Sequence, residues 1–156
     1  MSYSIIQSKS LNTLDIYKHL KADFFSRQSF LGVLPRDKLP KHVRYPSSIV
    51  INTHTSKQKG EHWLAVFYEK DGSSVFFDSF GYDPQFYGLE NFLEKTCTSW
   101  TFNKQQLQSL FSPMCGYYCI FFILLKSRNW SLANIIDLFS KTDFNIKDFL
   151  IEHLTK

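Results

Sequence analysis

Cysteine is scarce in this 156-residue chain: there are three, an odd number that cannot all pair within one molecule. That excludes a disulfide-built scaffold and points to a reducing compartment. Glycine (6) and proline (5) are also few, and with 44% hydrophobic and 21% charged residues this excludes a collagen-like or disordered chain. Long apolar runs are missing. The longest, Tyr117 to Leu125, is nine residues, against the roughly 20 that cross a bilayer. Met1 to Ile6 lacks the basic and apolar regions of a secretory signal. Nor is there a strong charge of one sign: the net charge is +4, compatible with weak nucleic-acid affinity but no demonstration of it. Arg36, Lys38, Lys41, Arg44, Lys57 and Lys59 fall in loop-like sequence, and a solvated face is the simpler reading. What remains is a soluble intracellular protein of one domain, residues 1–156, without repeats or linkers.

Aromatic residues are what the chain has in quantity, 16 Phe and 8 Tyr, so the core should be built largely on rings. Leu11, Leu14, Tyr17 and Leu20 recur at helical spacing after Ser10, a suitable N-cap, and predict a helix over 11–22. The following stretch, with Gly32, Pro35, Pro40 and Pro46, should be irregular. Ser48 to Thr53 is short and β-branched, a strand. Glu61–Glu69 and Ser74–Phe80 flank Asp71-Gly72 and predict a hairpin. Pro84 should open a second helix with Phe86, Leu89, Phe92 and Leu93 on its apolar face. Thr98–Phe102 reads as a strand. Helices are expected from Cys115, from Leu132 to Phe139 after Ser131, and from Ile146 to Leu154. The class is α+β, a mostly antiparallel centre flanked by helices.

Ser112-Pro113-Met114-Cys115-Gly116 runs from loop into an apolar helix. Pro113 suits a helix entrance, and Gly116 admits close backbone approach. Cys115 would then sit at the positive end of a helix, where N–H groups and the macrodipole favour a thiolate. A buried structural cysteine is the bland alternative. A thiol nucleophile needs a base and an orienting group. Of the five histidines, His62 alone adjoins a strongly apolar strand with a carboxylate one hairpin away; His19 and His153 fall in helix patterns, His42 and His54 in loops. Asp78 lies among Val75, Phe76, Phe77 and Phe80, where an ionised group needs partners. If the pair is catalytic, the hairpin loop must be odd-numbered or the strand bulged. A two-residue turn makes paired positions add to 143 and turns His62 and Asp78 to opposite faces. A three-residue loop, Lys70-Asp71-Gly72 with Gly72 left-handed, makes them add to 142. His62 and Asp78 are then diagonal neighbours about 7–8 Å apart. Gln105, Gln106 and Gln108 precede Cys115 and could supply an oxyanion donor beside the Cys115 N–H.

Together Gly60-x-His62-Trp63, Phe77-Asp78-Ser79-Phe80-Gly81, Gln108 and Cys115-Gly116-x-x-Cys119 resemble the adenovirus maturation protease family (adenain), relatives of the SUMO and ubiquitin-like proteases. Phe30-Leu31-Gly32 and Ile49 to Thr53 extend the likeness over about residues 20–125. The resemblance implies a papain-like, Ulp-type fold with the nucleophile at the N-terminus of a buried helix. It implies a cysteine endopeptidase with His62 as base, Asp78 as orienter, Gln108 (seven residues before Cys115) as oxyanion donor and Cys115 as nucleophile. Trp63 would pack against the site, though a core aromatic reads equally well. Implied substrates are viral or transposon-encoded precursor proteins, cut after small, glycine-rich sites in the virion or at its site of assembly. No cofactor is required for the chemistry and no metal or membrane is implied; the molecule is expected to act as a monomer. DNA and a short activating peptide are implied partners, with Cys97 placed to form the peptide disulfide; a helix-end thiol is its plain alternative. Two departures stand out. Little sequence follows the nucleophile helix, so the family's C-terminal helical region must be reduced. Met114 stands where SUMO-type enzymes usually carry Asp, which favours the viral branch. Deconjugation of SUMO- or ubiquitin-like modifiers is the alternative reading, and an inactive DNA- or capsid-binding relative a third.

Overall fold

The computed structural model describes residues 11–57, 62–107 and 114–141. A five-stranded sheet in the order β1-β2-β3-β4-β5 forms its centre. The strands are Phe30–Pro35, Ser47–Asn52, Trp63–Tyr68, Ser74–Phe77 and Trp100–Phe102. The four helices among the described residues are α1 (Thr13–Ala22), α2 (Glu90–Thr96), α3 (Cys115–Lys126) and α4 (Leu132–Phe139). Sequence pattern explains why the sheet is covered on both sides. Every residue of β3 is buried, and their alternation divides two cores. Trp63, Ala65 and Phe67, with Val50, Val75 and Phe77, pack with α1, α3 and α4. Leu64, Val66 and Tyr68, with Ile49, Ile51 and Phe76, pack with Leu89 and Leu93 next to and within α2.

The sheet is mixed rather than mostly antiparallel: β2-β3 and β3-β4 are antiparallel, whereas β1-β2 and β4-β5 are parallel. The extra parallel pair comes from β1, in sequence expected to be irregular. Gly32 (φ +148) marks a register shift between Phe30 and Gly32, and Pro35 closes an edge strand, both positions that sheets tolerate. The hairpin adopts the register that brings His62 and Asp78 together. Ala65 pairs with Phe77 and Tyr68 with Ser74, so paired positions add to 142. Gly72 is left-handed at φ +89.

Three other expectations change. The first helix is capped by Asn12, not Ser10, through a reciprocal capping box with Asp15. Its buried residues are Ile16 and Leu20, while Leu14 and Tyr17 are exposed. The helix expected from Pro84 is broken. Pro84–Tyr87 is a 3-10 turn ended by left-handed Gly88, and α2 starts only at Glu90, which leaves Phe86 in solvent. Helix α4 is capped by the Ser131 hydroxyl as expected. Pro113 and the helix expected over 146–154 lie outside the described residues.

Candidate active site

The open end of the β3-β4 hairpin carries His62 just before β3 and Asp78 just after β4. Both are buried. His62 Nε2 and Asp78 Oδ1 are 2.7 Å apart. A carboxylate only accepts, so Nε2 carries hydrogen and Nδ1 is left for another partner. That partner is Cys115, which is hydrogen-bonded to the imidazole and stands at the first turn of α3. Three elements distant in sequence thus supply the sulfur, the ring and the carboxylate.

Asp78 is wholly buried, and its environment satisfies both oxygens. Oδ1 accepts the Phe80 N–H (3.0 Å) as well as His62; Oδ2 accepts the Tyr82 N–H (3.2 Å) and the Tyr87 hydroxyl (2.6 Å). Burial and the carboxylate push the Tyr87 phenol far above its ordinary range, so it stays a donor. The Asp78 backbone is clamped by Asn103, whose Oδ1 accepts the Asp78 N–H (3.0 Å) and whose Nδ2 donates to the Asp78 carbonyl (2.6 Å). Phe80 lies opposite His62 in the extended register, and the two rings stack at 4.2 Å. Burial alone would lower the His62 pKa. The hydrogen bonds and charges of Asp78 and Cys115 overcome it and raise the pKa from 6.5 to about 9. At neutral pH the imidazole is therefore protonated.

A turn closes beside this pair: the Gly81 N–H donates to the Asp78 carbonyl (2.8 Å). At Gly81 (φ +84) a Cβ would lie 2.6 Å from the Gln105 carbonyl carbon, so only glycine lets the two backbones meet. The Leu107 N–H donates to Ser79 O (2.7 Å), and the Tyr118 hydroxyl on α3 donates to Leu107 O (3.2 Å). Residue 107 is thereby fixed between the acid turn and the cysteine helix. Gln108 lies outside the described residues; Gln105 and Gln106 are exposed. Gly116 is packed tightly, with a Cβ there meeting Leu11 at 3.2 Å and Trp63 at 3.3 Å. Trp63 is buried against α3 and donates to Leu11 O (3.2 Å).

The remaining cysteines differ in kind. Cys119 is fully buried, and burial with the charges of Cys115 and Asp78 pushes its thiol well up. Half-buried Cys97 caps the end of α2, donates to Leu93 O (3.1 Å) and accepts from the Ser74 hydroxyl (3.2 Å). Among the described residues no group of three or more His, Cys, Asp or Glu could hold a metal ion, and no helix is long and apolar enough to cross a membrane. His19 and His42 are exposed, as are Arg36, Lys38, Lys41, Arg44 and Lys57. Sequence reading missed Tyr87, Asn103 and the stacking Phe80. The one available signal was the buried carboxylate itself, which demands several donors.

A central sheet with a cysteine-led buried helix on one face and a histidine–aspartate pair at its open end is the fold of the Ulp-like cysteine proteases. The crystal structure of the ASFV pS273R protease superposes on 91% of this chain with a TM-score of 0.59 at 16% identity. Residues 30–139 match the adenovirus endoprotease family, and the chain belongs to it. A protease of Bovine adenovirus C serotype 10 is 30% identical over 130 residues, 72% of this chain. The chain covers 65% of that protease and 66% of the ASFV chain, a little under two thirds of each.

Proposed function

We propose that this protein is a cysteine endopeptidase that processes viral or virus-like-element precursor proteins. The observation that carries the reading is the contact of His62 with both Asp78 and Cys115 in a chain of the adenovirus endoprotease family. His62 holds the Cys115 proton on Nδ1 as a thiolate–imidazolium pair, and Asp78 fixes the ring through Nε2–H. The thiolate attacks the scissile carbonyl carbon: the C–S bond forms, and the carbonyl electron pair moves to oxygen. That oxyanion is received by the Cys115 N–H and by the side chain of Gln108, whose neighbour Leu107 is anchored to both the acid turn and α3. Collapse breaks the C–N bond, and the leaving amine takes the Nδ1 proton. Water then gives a proton to His62 and attacks the thioester carbon, and expulsion of the thiolate completes hydrolysis.

No cofactor enters these steps. Protein precursors cut after small residues, in the virion or where it assembles, are the substrates this reading assigns. DNA and a short peptide, the latter joined through a disulfide to Cys97, are its assigned activators, and the acting species is a monomer. The test is iodoacetamide labelling of each cysteine across pH, followed by mass spectrometry, beside cleavage of viral precursor and ubiquitin-like substrates. Cys115 should label faster than Cys97 and Cys119 and lose this advantage in His62→Ala. Labelling no faster than at Cys97 or Cys119, with DNA and peptide present, would count against the reading. Cleavage of a tagged modifier alone would move the substrate class to deconjugation.

A further inference from the structure

Tyr82 and Phe86 are 41% and 64% exposed, yet their rings are packed against each other and against Tyr87. Their rings stack at 4.2 Å with 12° between planes, and Phe86 meets Tyr87 edge-on at 5.0 Å. Asp83 caps the 3-10 turn by accepting the Phe86 N–H (3.0 Å). The pair is also fastened to the acid. The Tyr82 N–H and the Tyr87 hydroxyl both donate to Asp78 Oδ2, and the Tyr87 ring lies 5.9 Å from His62. Ring contacts therefore run unbroken from the imidazole to solvent, ending at a shallow hollow of about 280 Å³ beside Tyr82 and Phe86.

The chemistry says which half of a substrate reaches it. The leaving nitrogen takes its proton from His62, so the chain after the scissile bond passes on the imidazole side of the sulfur. Asp78 and the segment it holds lie beyond that imidazole. We propose that Tyr82 and Phe86 form a subsite for an apolar side chain within the first few residues after the scissile bond. The inference rests on the protease reading and extends it to specificity. Stacked rings bind an aliphatic or aromatic side chain with little ordering cost. Asp83, the acid beside the hollow, is engaged in capping, and a carboxylate there disfavours acidic residues.

The test uses quenched-fluorescence peptides with one glycine-ending sequence before the scissile bond and four residues after it. Phe, Leu, Gly or Asp is placed in turn at the second and third of these. The protein should favour Phe or Leu over Gly by about tenfold in kcat/KM, as one buried apolar contact supplies. In Tyr82→Ala/Phe86→Ala that ratio should fall toward one. General damage to the fold would slow all peptides alike and keep the ratio; a surviving ratio overturns the subsite. In parallel, free-amine tetrapeptides matching the released half are titrated against Cys115→Ala with and without the double substitution. A preference for Phe or Leu that vanishes with the rings upholds the subsite even where the intact protein cleaves nothing, in which case the protease reading alone fails. Absence of any preference in this titration overturns the subsite even where cleavage is observed.

Discussion

At the scale of single residues, the site is an arrangement in which burial works against the needed charge and two neighbours restore it. Desolvation would discharge His62, and Asp78 with Cys115 instead raises it to about 9. A histidine pKa raised from 6.5 means stability that is complete below about 6.5 and is lost as pH rises through about 9. The proton that the leaving amine needs disappears over the same range, so kcat/KM should show an alkaline limb near pH 9. Asp78→Asn leaves the burial and removes one of the two charges that opposed it. The limb should then move downward, and activity should fall by on the order of 10²-fold. His62→Ala should cost about 10³-fold or more, since no base remains, and Cys115→Ala should abolish turnover with the fold intact. Tyr87→Phe is the finer test. It removes one charge-assisted donor to a buried carboxylate, a loss of about 1.5–3 kcal/mol, and should lower the melting temperature. Equal effects of Asp78→Asn and His62→Ala on the rate would mean that the carboxylate does more than orient. An unmoved alkaline limb in Asp78→Asn would refute the charge argument.

At the scale of elements, the hairpin and the turn after it decide whether those residues meet. Gly81 is the position to probe. Its left-handed φ and the 2.6 Å approach to Gln105 make Gly81→Ala expensive, about 3 kcal/mol or more when backbone strain and overlap combine. The cost should appear both as a lower denaturation midpoint and as a Cys115 that labels more slowly at neutral pH, because the acid turn carries Asp78. A variant that melts early but labels normally would separate the turn from the dyad. Much of this level was readable in the sequence. Asp71-Gly72 with alternating apolar flanks announced the hairpin, and the demand that a buried acid meet a histidine called for an odd-numbered loop or a bulged strand, of which the odd-numbered loop is the one formed. Helix α3 was legible because every residue from Cys119 to Leu125 is apolar and buried. What could not be read were features set by distant partners. β1 is a strand because it pairs with β2 at a sheet edge, which outweighs the local signals of Gly32 and Pro35. The Pro84 helix pattern failed because Gly88 offered a left-handed stop. Asn103 and Tyr87 reach Asp78 from 25 and nine residues away, and no spacing rule connects them.

At the scale of the whole molecule, α3 couples the site to the far end of the sheet, and a second buried charge sits there. Lys126 is 9% exposed at the last turn of α3; its ammonium lies 2.5 Å from Glu69 Oε1, over the Phe67 ring, and donates to Trp130 O. Eleven helical steps take it from Cys115, about 16 Å at 1.5 Å per residue, so its contribution is to docking the helix rather than to the chemistry. The two partners are unequal, because Glu69 is 37% exposed and can be hydrated whereas the ammonium cannot. Removing one partner of such a pair costs according to which charge is stranded. Glu69→Gln leaves a buried cation facing a neutral amide and should destabilise by about 1–3 kcal/mol. Lys126→Met keeps the aliphatic stem against Phe67, frees Glu69 to solvent and should change stability by less than about 1 kcal/mol. Urea denaturation of both variants and of the double substitution checks this: the double variant should resemble Lys126→Met, because the stranded cation is then gone. The labelling rate of Cys115 should stay at its original value in all three. If Lys126→Met proves the more damaging single change, the ammonium is a net stabiliser of the helix–sheet contact and not a tolerated burial. If Cys115 labelling slows with it, the two ends of α3 are coupled through more than packing.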